Sequence, residues 1–409
     1  MKKFKKVNKC RICGSTNLKK YLNLGDQPLA NSFLKKIDLK NEIKYPLQLL
    51  FCKNCKLSQL SIVVNPKLIF NKYDYLSSSS KALRNHYKEL VHKLDINHSL
   101  KENSTVVDIG CNDGVLLNNY SSNLENIIGI EPSDASKKIK NKKIKVIKKF
   151  FNNSTVNIFL KKFKKAQIIT ITNVMAHIDE VNNLITNIKK ILDFKGKLII
   201  EVPYILDMLK KSTFDLVYHE HLSYFNVHSL KFLLEKNGLK IIDIEKINFG
   251  ASGPALRVFA SHKNSNFNVS KKIKTHLNIE RRQGLNNFST YYAFERIVKK
   301  KILKLRKNLI KLRKKNYKLA CYTAPAKGNT LLNSLNLQKN FFEFATENNP
   351  RKINKFTPGT HIKVVKDKLL EKSKIKYALL LSWNYKKFFI KNSKFIKKVE
   401  SLYCHSSNE

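Results

Sequence analysis

Val106-Val107-Asp108-Ile109-Gly110-Cys111-Asn112-Asp113-Gly114 is an apolar run closed by two glycines, and Val115-Leu116-Leu117 follows it. The run reads as a buried strand over Thr105–Ile109 that ends in a tight turn. Gly110 and Gly114 let the backbone come close to a ligand at the carboxyl end of that strand. The spacing Asp-Ile-Gly-x-x-x-Gly is not Gly-x-Gly-x-x-Gly, which favours a nucleoside ligand without a pyrophosphate. One strand later the chain reads Gly129-Ile130-Glu131-Pro132-Ser133. A strand-end Glu131 can accept two hydrogen bonds from ribose hydroxyls. The competing reading, an ordinary turn with a solvated Glu131, explains the glycines less well. The candidate ligand-binding residues are Asp108, Gly110, Asn112, Asp113, Gly114, Glu131 and Pro132.

Further strands are expected over 127–130, 168–171 and 197–202, with helical patterns between them. Strands alternating with helices imply an α/β fold with a parallel sheet. Upstream, the run 77–80 precedes a helical stripe through Leu83, Tyr87, Leu90, Val91 and Leu94. Downstream, 271–315 is charged, periodic and free of Pro, as a long helix or helix pair would be. Apolar strands over 318–322, 341–345 and 377–381 point to a second, smaller α/β unit. The expected division is a cysteine-bearing lobe over 1–70, a Rossmann-like domain over 71–265, a helical linker over 266–316 and a C-terminal α/β domain over 317–409.

Cys10-Arg11-Ile12-Cys13-Gly14 and Cys52-Lys53-Asn54-Cys55 are two C-x-x-C pairs. A two-residue gap turns both thiolates of a pair toward one metal, and two pairs complete a tetrahedron. Cys10, Cys13, Cys52 and Cys55 are therefore expected to hold a closed, structural zinc ion. An inserted lobe must fill the long gap between the pairs. Cys111, Cys321 and Cys404 stand alone, and an odd cysteine count argues against a disulfide framework.

The 409 residues carry a formal charge of +49. Of 79 basic residues only nine are Arg, and the Lys is spread along the whole chain. Base-reading surfaces favour the bidentate fork of Arg, so the charge is assigned to solvated surface and not to nucleic-acid binding. A zinc-bearing nucleic-acid-binding protein is the rival from another class, and it predicts steep salt dependence. No apolar run reaches the roughly 18–20 residues that span a bilayer, and no apolar segment follows the basic start. No membrane partner is expected, and a cytoplasmic address is.

Tyr218-His219-Glu220-His221-Leu222-Ser223-Tyr224-Phe225 follows the strand that ends in Glu201-Val202-Pro203-Tyr204. Such a group can supply a base, an acid and an orienting carboxylate. It lacks the H-E-x-x-H spacing of a helical metal site. With this stretch, the cysteine pairs and the Asp108–Gly114 turn, the chain resembles the S-adenosylmethionine-dependent C-methyltransferases of nucleotide-linked keto-sugars. The resemblance extends to Gly25-Asp26-Gln27-Pro28-Leu29-Ala30-Asn31 and Asn173-Val174-Met175-Ala176-His177-Ile178-Asp179. It also includes Ala326-Lys327-Gly328-Asn329-Thr330 and Pro358-Gly359-Thr360-His361.

The resemblance implies a class I methyltransferase domain that binds S-adenosylmethionine, between a zinc lobe and a C-terminal domain that helps to hold the nucleotide. It implies His221 as general base, supported by Glu220 and Tyr218. It implies acceptor contacts from Tyr75, Ser78, Asn173, His177 and Lys327. A bacterial pathway to surface polysaccharide or a glycosylated metabolite is the setting it implies. One departure stands out: Phe249-Gly250-Ala251-Ser252-Gly253-Pro254-Ala255-Leu256-Arg257 replaces a Gly-Gly-Ser-Leu-Arg pattern, which bears on the acceptor's ring substituents. An O- or N-methyltransferase of the same architecture is the enzyme rival.

Overall fold

The structure is a computed structural model that describes residues 3–70, 76–98, 100–248, 253–392 and 400–403. Near the N-terminus lie β1 (Phe4–Lys6), β2 (Leu18–Pro28), β3 (Lys44–Cys52), β4 (Ser58–Leu60) and β5 (Ile62–Val64). Strands β2, β3 and β4 form an antiparallel sheet, and β1 pairs with β5 alone. Strands β2 and β3 fill the gap between the cysteine pairs, as the spacing required.

The central strands are β6 (Thr105–Ile109), β7 (Asn126–Ile130), β8 (Ile144–Ile147), β9 (Ala166–Thr172), β10 (Leu192–Pro203), β11 (Ser223–Tyr224), β12 (Leu239–Ile247) and β13 (Ala255–His262). Seven of them form one sheet in the order β12-β13-β10-β9-β6-β7-β8. Strands β6 to β10 run parallel, while β13 is antiparallel to both β10 and β12. Four strands go beyond the sequence reading. β8 is an edge strand with exposed Lys145 and Val146, which blurs its apolar signal. The pair β12–β13 completes the other end of the sheet. β11 leaves that sheet and joins the N-terminal one, Ser223 opposite Gln59 and Tyr224 opposite Ser58.

Helix Lys81–His98 buries the expected stripe Leu83, Tyr87, Leu90, Val91 and Leu94 against Val106, Ile168 and Ile199 of the sheet. Polar and charged residues fill the opposite face, as an amphipathic helix on a sheet requires. The segment 271–315 forms a helix pair, Lys272–Arg282 and Phe288–Lys314. Tyr291 of the second helix stacks against Tyr21 and Phe51, with ring centroids 5.0 and 4.3 Å apart, so this helix packs on the N-terminal sheet.

The C-terminal strands are β14 (Leu319–Tyr322), β15 (Ala345–Thr346), β16 (Val364–Val365), β17 (Tyr377–Leu380) and β18 (Glu400–Tyr403). They form a parallel sheet ordered β16-β15-β14-β17-β18. The apolar run 341–345 is mostly not a strand. Phe341 and Phe342 pack edge to face in a bend and Phe341 lies under Arg313, so only Ala345 enters the sheet. Among the described residues, no helix is long and apolar enough to cross a membrane.

Candidate active site

The four paired cysteines converge. Cys10 Sγ lies 3.4 Å from Cys55 Sγ, Cys13 Sγ lies 3.5 Å from Cys52 Sγ, and all four sulfurs fall within 4.8 Å of one another. Thiolates about 2.3 Å from a tetrahedral zinc stand about 3.8 Å apart, so the donor set fits zinc and leaves no open position. Hydrogen bonds among the thiols and burial push Cys10 and Cys55 toward the protonated form, the first cause being Cys52 for Cys10 and Cys10 for Cys55. A divalent cation would displace those protons. The knuckle is fastened to the central domain. Arg11 Nε donates to Asp179 Oδ1 at 2.9 Å, and Asn182 Nδ2 donates to the carbonyls of Arg11 and Ile12. Purified protein should therefore carry one zinc per chain by elemental analysis. Cys10→Ser should lower solubility or melting temperature more than the turnover of what remains folded. A folded, metal-free protein would remove the assignment.

The order of the central sheet reverses between β6 and β9, and the turns after those strands meet there. Ligands of open α/β sheets bind at such a point. A cavity of about 680 Å³ opens at this place, lined by Asp108, Gly110, Asn112, Glu131, Pro132 and Asn173 among others. That volume lies within the range of small-molecule sites. Glu131 accepts the N–H of Asn112 at 3.0 Å and of Ser133 at 2.8 Å, so it braces the turn and keeps lone pairs for a ligand. Burial raises the Asp108 carboxyl to about 7, against the Thr170 hydroxyl that donates to it at 2.6 Å. Asn173 holds a left-handed φ of 58°, and its buried Nδ2 has no hydrogen-bond partner among the described residues. A cavity with a braced carboxylate and an unsatisfied amide fits a nucleoside cofactor with a polar tail. Asp113 and Gly114 are not in its wall. Asp113 Oδ2 accepts the N–H of Ser78, and Gly114 (φ +75°) faces Ile139. The N-terminal lobe supplies part of the wall through Phe4, Lys5, Val63, Val64, Asn65 and Pro66, a contribution that the cysteine motifs do not announce.

His221 lies behind that cavity and is buried. Its Nδ1 meets the Leu216 carbonyl at 3.1 Å and its Nε2 meets the Tyr218 hydroxyl at 3.0 Å. A carbonyl only accepts, so Nδ1 carries the proton and Nε2 accepts from the phenol. Burial and the neighbouring His177 lower the imidazole to about 3, which keeps it neutral. The ring of His177 stands edge-on to that of His221, centroids 5.0 Å apart, and also lines the cavity at the switch point. His177 thus separates this cavity from His221.

Glu220 does not orient the His221 ring, as the sequence suggested. Its carboxylate accepts both contacts of Asn31 Nδ2, at 2.7 and 2.9 Å, and its carbonyl accepts His177 Nδ1 at 2.8 Å. Burial lifts this carboxyl to about 7, against the opposing bond from Asn31. His219 turns away to the carbonyls of Tyr45 and Pro46.

Of the other expected acceptor residues, Tyr75 lies outside the described residues. Lys327 is the second residue of the helix Ala326–Leu335, and its ammonium sits 4.2 Å from the centroid of the Trp383 ring. In the departing segment, residues 249–252 lie outside the described residues. Arg257 is buried in β13 and pairs with Glu201 and Glu245. Trp383 was not singled out from the sequence. It lines a small cavity of about 40 Å³ together with His221, Tyr204, Leu216 and Tyr224.

Comparison with known proteins matches three families in succession along the chain. They are a zinc binding domain over residues 10–70, a methyltransferase domain over 81–244 and a C-methyltransferase C-terminal domain over 250–403. The C-methyltransferase NovU of Streptomyces niveus is 26% identical over 390 residues, covering 95% of this chain and 92% of NovU. Similar solved structures include a S-adenosylmethionine-dependent methyltransferase from Clostridium acetobutylicum, 14% identical, covering 48% of this chain and 95% of that one with a TM-score of 0.36. Another is the magnesium protoporphyrin IX methyltransferase of Synechocystis with bound cofactor, 13% identical, covering 44% and 79% with a TM-score of 0.32. The cysteine cluster, the three family-model matches and the resemblance to NovU along nearly the whole chain identify a class I S-adenosylmethionine-dependent methyltransferase.

Proposed function

We propose that this enzyme methylates carbon next to the ketone of a nucleotide-linked sugar, through an enolate made by His221 and Tyr218. The observation that carries the reading is the neutral imidazole whose Nε2 accepts from the Tyr218 phenol, one histidine away from the cofactor cavity. Carbon beside a ketone becomes nucleophilic only after it loses a proton. The His221–Tyr218 pair can take that proton as a unit. The phenol hands its own proton to Nε2 while its oxygen receives the one from carbon. Nδ1 keeps its bond to Leu216, so the imidazolium that forms stays oriented. A hydrogen-bond donor near the enolate oxygen stabilises it, a role suited to the unsatisfied Nδ2 of Asn173. S-adenosylmethionine, held by the Gly110 turn and Glu131, would supply an electrophilic methyl group to the enolate carbon and leave as S-adenosylhomocysteine.

In this reading Ser78, Tyr75 and Lys327 touch the acceptor, and Glu220 holds the seam to Asn31. Residues 1–70, 71–265, 266–316 and 317–409 act as zinc lobe, methyltransferase domain, helical linker and acceptor-holding domain. The partner is a small nucleotide-linked acceptor, not a nucleic acid or a membrane, in a cytoplasmic route to polysaccharide or a glycosylated metabolite.

The test uses S-adenosylmethionine with a carbon-13 methyl group and a panel of nucleotide-linked keto-sugars. Nuclear magnetic resonance of the product is expected to report a methyl group on carbon. The acceptor alone is expected to exchange the proton beside its ketone in deuterated water. A methyl group on oxygen or nitrogen would overturn the reading.

A further inference from the structure

The segment that carries His221 is gripped from three sides. Strand β11, just after it, pairs with β4 of the N-terminal sheet. The Leu222 N–H donates to the Ala176 carbonyl of the His177 turn at 2.8 Å. The third grip comes from the helix Ala326–Leu335 and the 3-10 turn Trp383–Tyr385 beside the C-terminal sheet, whose side chains reach residues on either side of Leu216. Trp383 Nε1 donates to Asp215 Oδ2, and Thr330 Oγ1 donates to the Val217 carbonyl at 3.0 Å. Asp215 and Val217 are fully buried.

Leu216 between them offers the carbonyl that receives His221 Nδ1. It ends a single 3-10 turn, Phe214–Leu216. One such turn has poor internal hydrogen bonds and holds its carbonyls weakly by itself. The indole is itself fixed on two sides, its N–H by Asp215 and its face by the Lys327 ammonium.

We infer that Trp383 and Thr330 are positioning residues: they hold the Leu216 carbonyl at His221 Nδ1 and so choose which ring nitrogen carries the proton. The inference rests on the reading of His221 as the base. The logic is that of any neutral imidazole, where the bond made by one nitrogen sets the state of the other. If the Leu216 carbonyl swings away, the proton can move to Nε2. That nitrogen then no longer accepts from Tyr218, and the pair cannot take a proton from carbon. The C-terminal domain would thus preset the chemistry of the central one, besides any role in holding the acceptor.

The test compares Trp383→Phe, which keeps a ring in the cavity wall but loses the N–H, with Thr330→Val, which loses only a hydroxyl. Nitrogen-15 spectra of the full-length enzyme read the tautomer of His221, its signals being those missing from His221→Ala. The parent should show a protonated Nδ1 and a bare Nε2, and each variant a mixture of tautomers. The kcat should fall by up to about 10²-fold, the cost of a slightly misplaced catalytic group. Affinity for S-adenosylmethionine by calorimetry should stay that of the parent.

If Trp383→Phe does not fold, Thr330→Val decides alone. Trp383 is the only tryptophan in the chain, so its fluorescence reports whether the seam stays closed in that variant. Unchanged spectra with full kcat would overturn the inference. So would a loss of cofactor affinity as large as the loss of turnover, because that means general disruption. A fully active His221→Ala would end the base reading and leave the nitrogen spectra to judge the tether. An inactive His221→Ala beside unchanged spectra in the tether variants would end this inference alone.

Discussion

His221→Ala is expected to lose about 10²–10⁴-fold in methyl transfer, the usual contribution of a general base, while it binds S-adenosylmethionine as the parent does. The two halves of this result come from different parts of the site. His221 is not in the wall of the cofactor cavity, and His177 stands between them. Its removal therefore leaves the cofactor's contacts in place. What goes is the bare Nε2 that accepts from Tyr218. Exchange of the acceptor proton in deuterated water should vanish with turnover. Tyr218→Phe should lose nearly as much if the phenol relays the proton, and much less if the imidazole acts directly. Because burial holds His221 near 3, its titration should not shape the rate between pH 5 and 8. Full-rate methylation of a phosphate-free polar acceptor by His221→Ala would favour heteroatom chemistry. Equal loss of cofactor affinity and turnover would mean that the histidine only packs.

Gly110→Val is expected to abolish detectable binding of S-adenosylmethionine. Gly110 has a φ of +78°, a region that β-branched residues enter only with strain. A Cβ built there would stand 2.4 Å from Cγ2 of Val174, itself a wall residue of the cavity. Backbone strain of about 1–3 kcal/mol corresponds to roughly 10–100-fold in affinity at about 1.4 kcal/mol per tenfold. The displaced Val174 adds to that, because it sits on the turn that carries Asn173 and His177. Glu131→Ala should weaken binding on the order of 1–3 kcal/mol, the range for a hydrogen bond to a charged group. Part of its effect would come from the freed N–H groups of Asn112 and Ser133. Calorimetry on both variants is the check, and parental affinity in both would sink the assignment of this cavity.

The strand-ending glycine turn and the cysteine cluster were legible because their geometry is local. A glycine after an apolar strand, or two thiols a helical step apart, fixes geometry within a few residues. Strand β8 was hidden because Lys145 interrupts its apolar residues at an exposed edge. The run at 341–345 misled because Phe341 and Phe342 find burial against each other and Arg313 without entering the sheet. The partner of His221 Nδ1 was out of reach for another reason. It is a backbone carbonyl, and every residue type offers one. The Glu220 carboxylate went instead to Asn31, 189 positions away, and a contact of that span leaves no mark in local pattern.

The wall that Phe4, Lys5 and residues 63–66 lend to the cofactor cavity bears on how such an enzyme can be taken apart or inherited. The matched stretch 81–244 looks like a self-sufficient module, yet cut out of the chain it would leave its cofactor open to water on one side. The missing side is a ribbon of two three-residue strands, and paired strands that short are marginal when isolated. The ribbon can persist only on the lobe that the cysteines organise. Recombination that exchanged the central domain alone would thus have to rebuild a seam of apolar side chains with a foreign neighbour. Lobe and domain are better regarded as one heritable unit, and grafts that seek a new acceptor are better made at the C-terminal sheet.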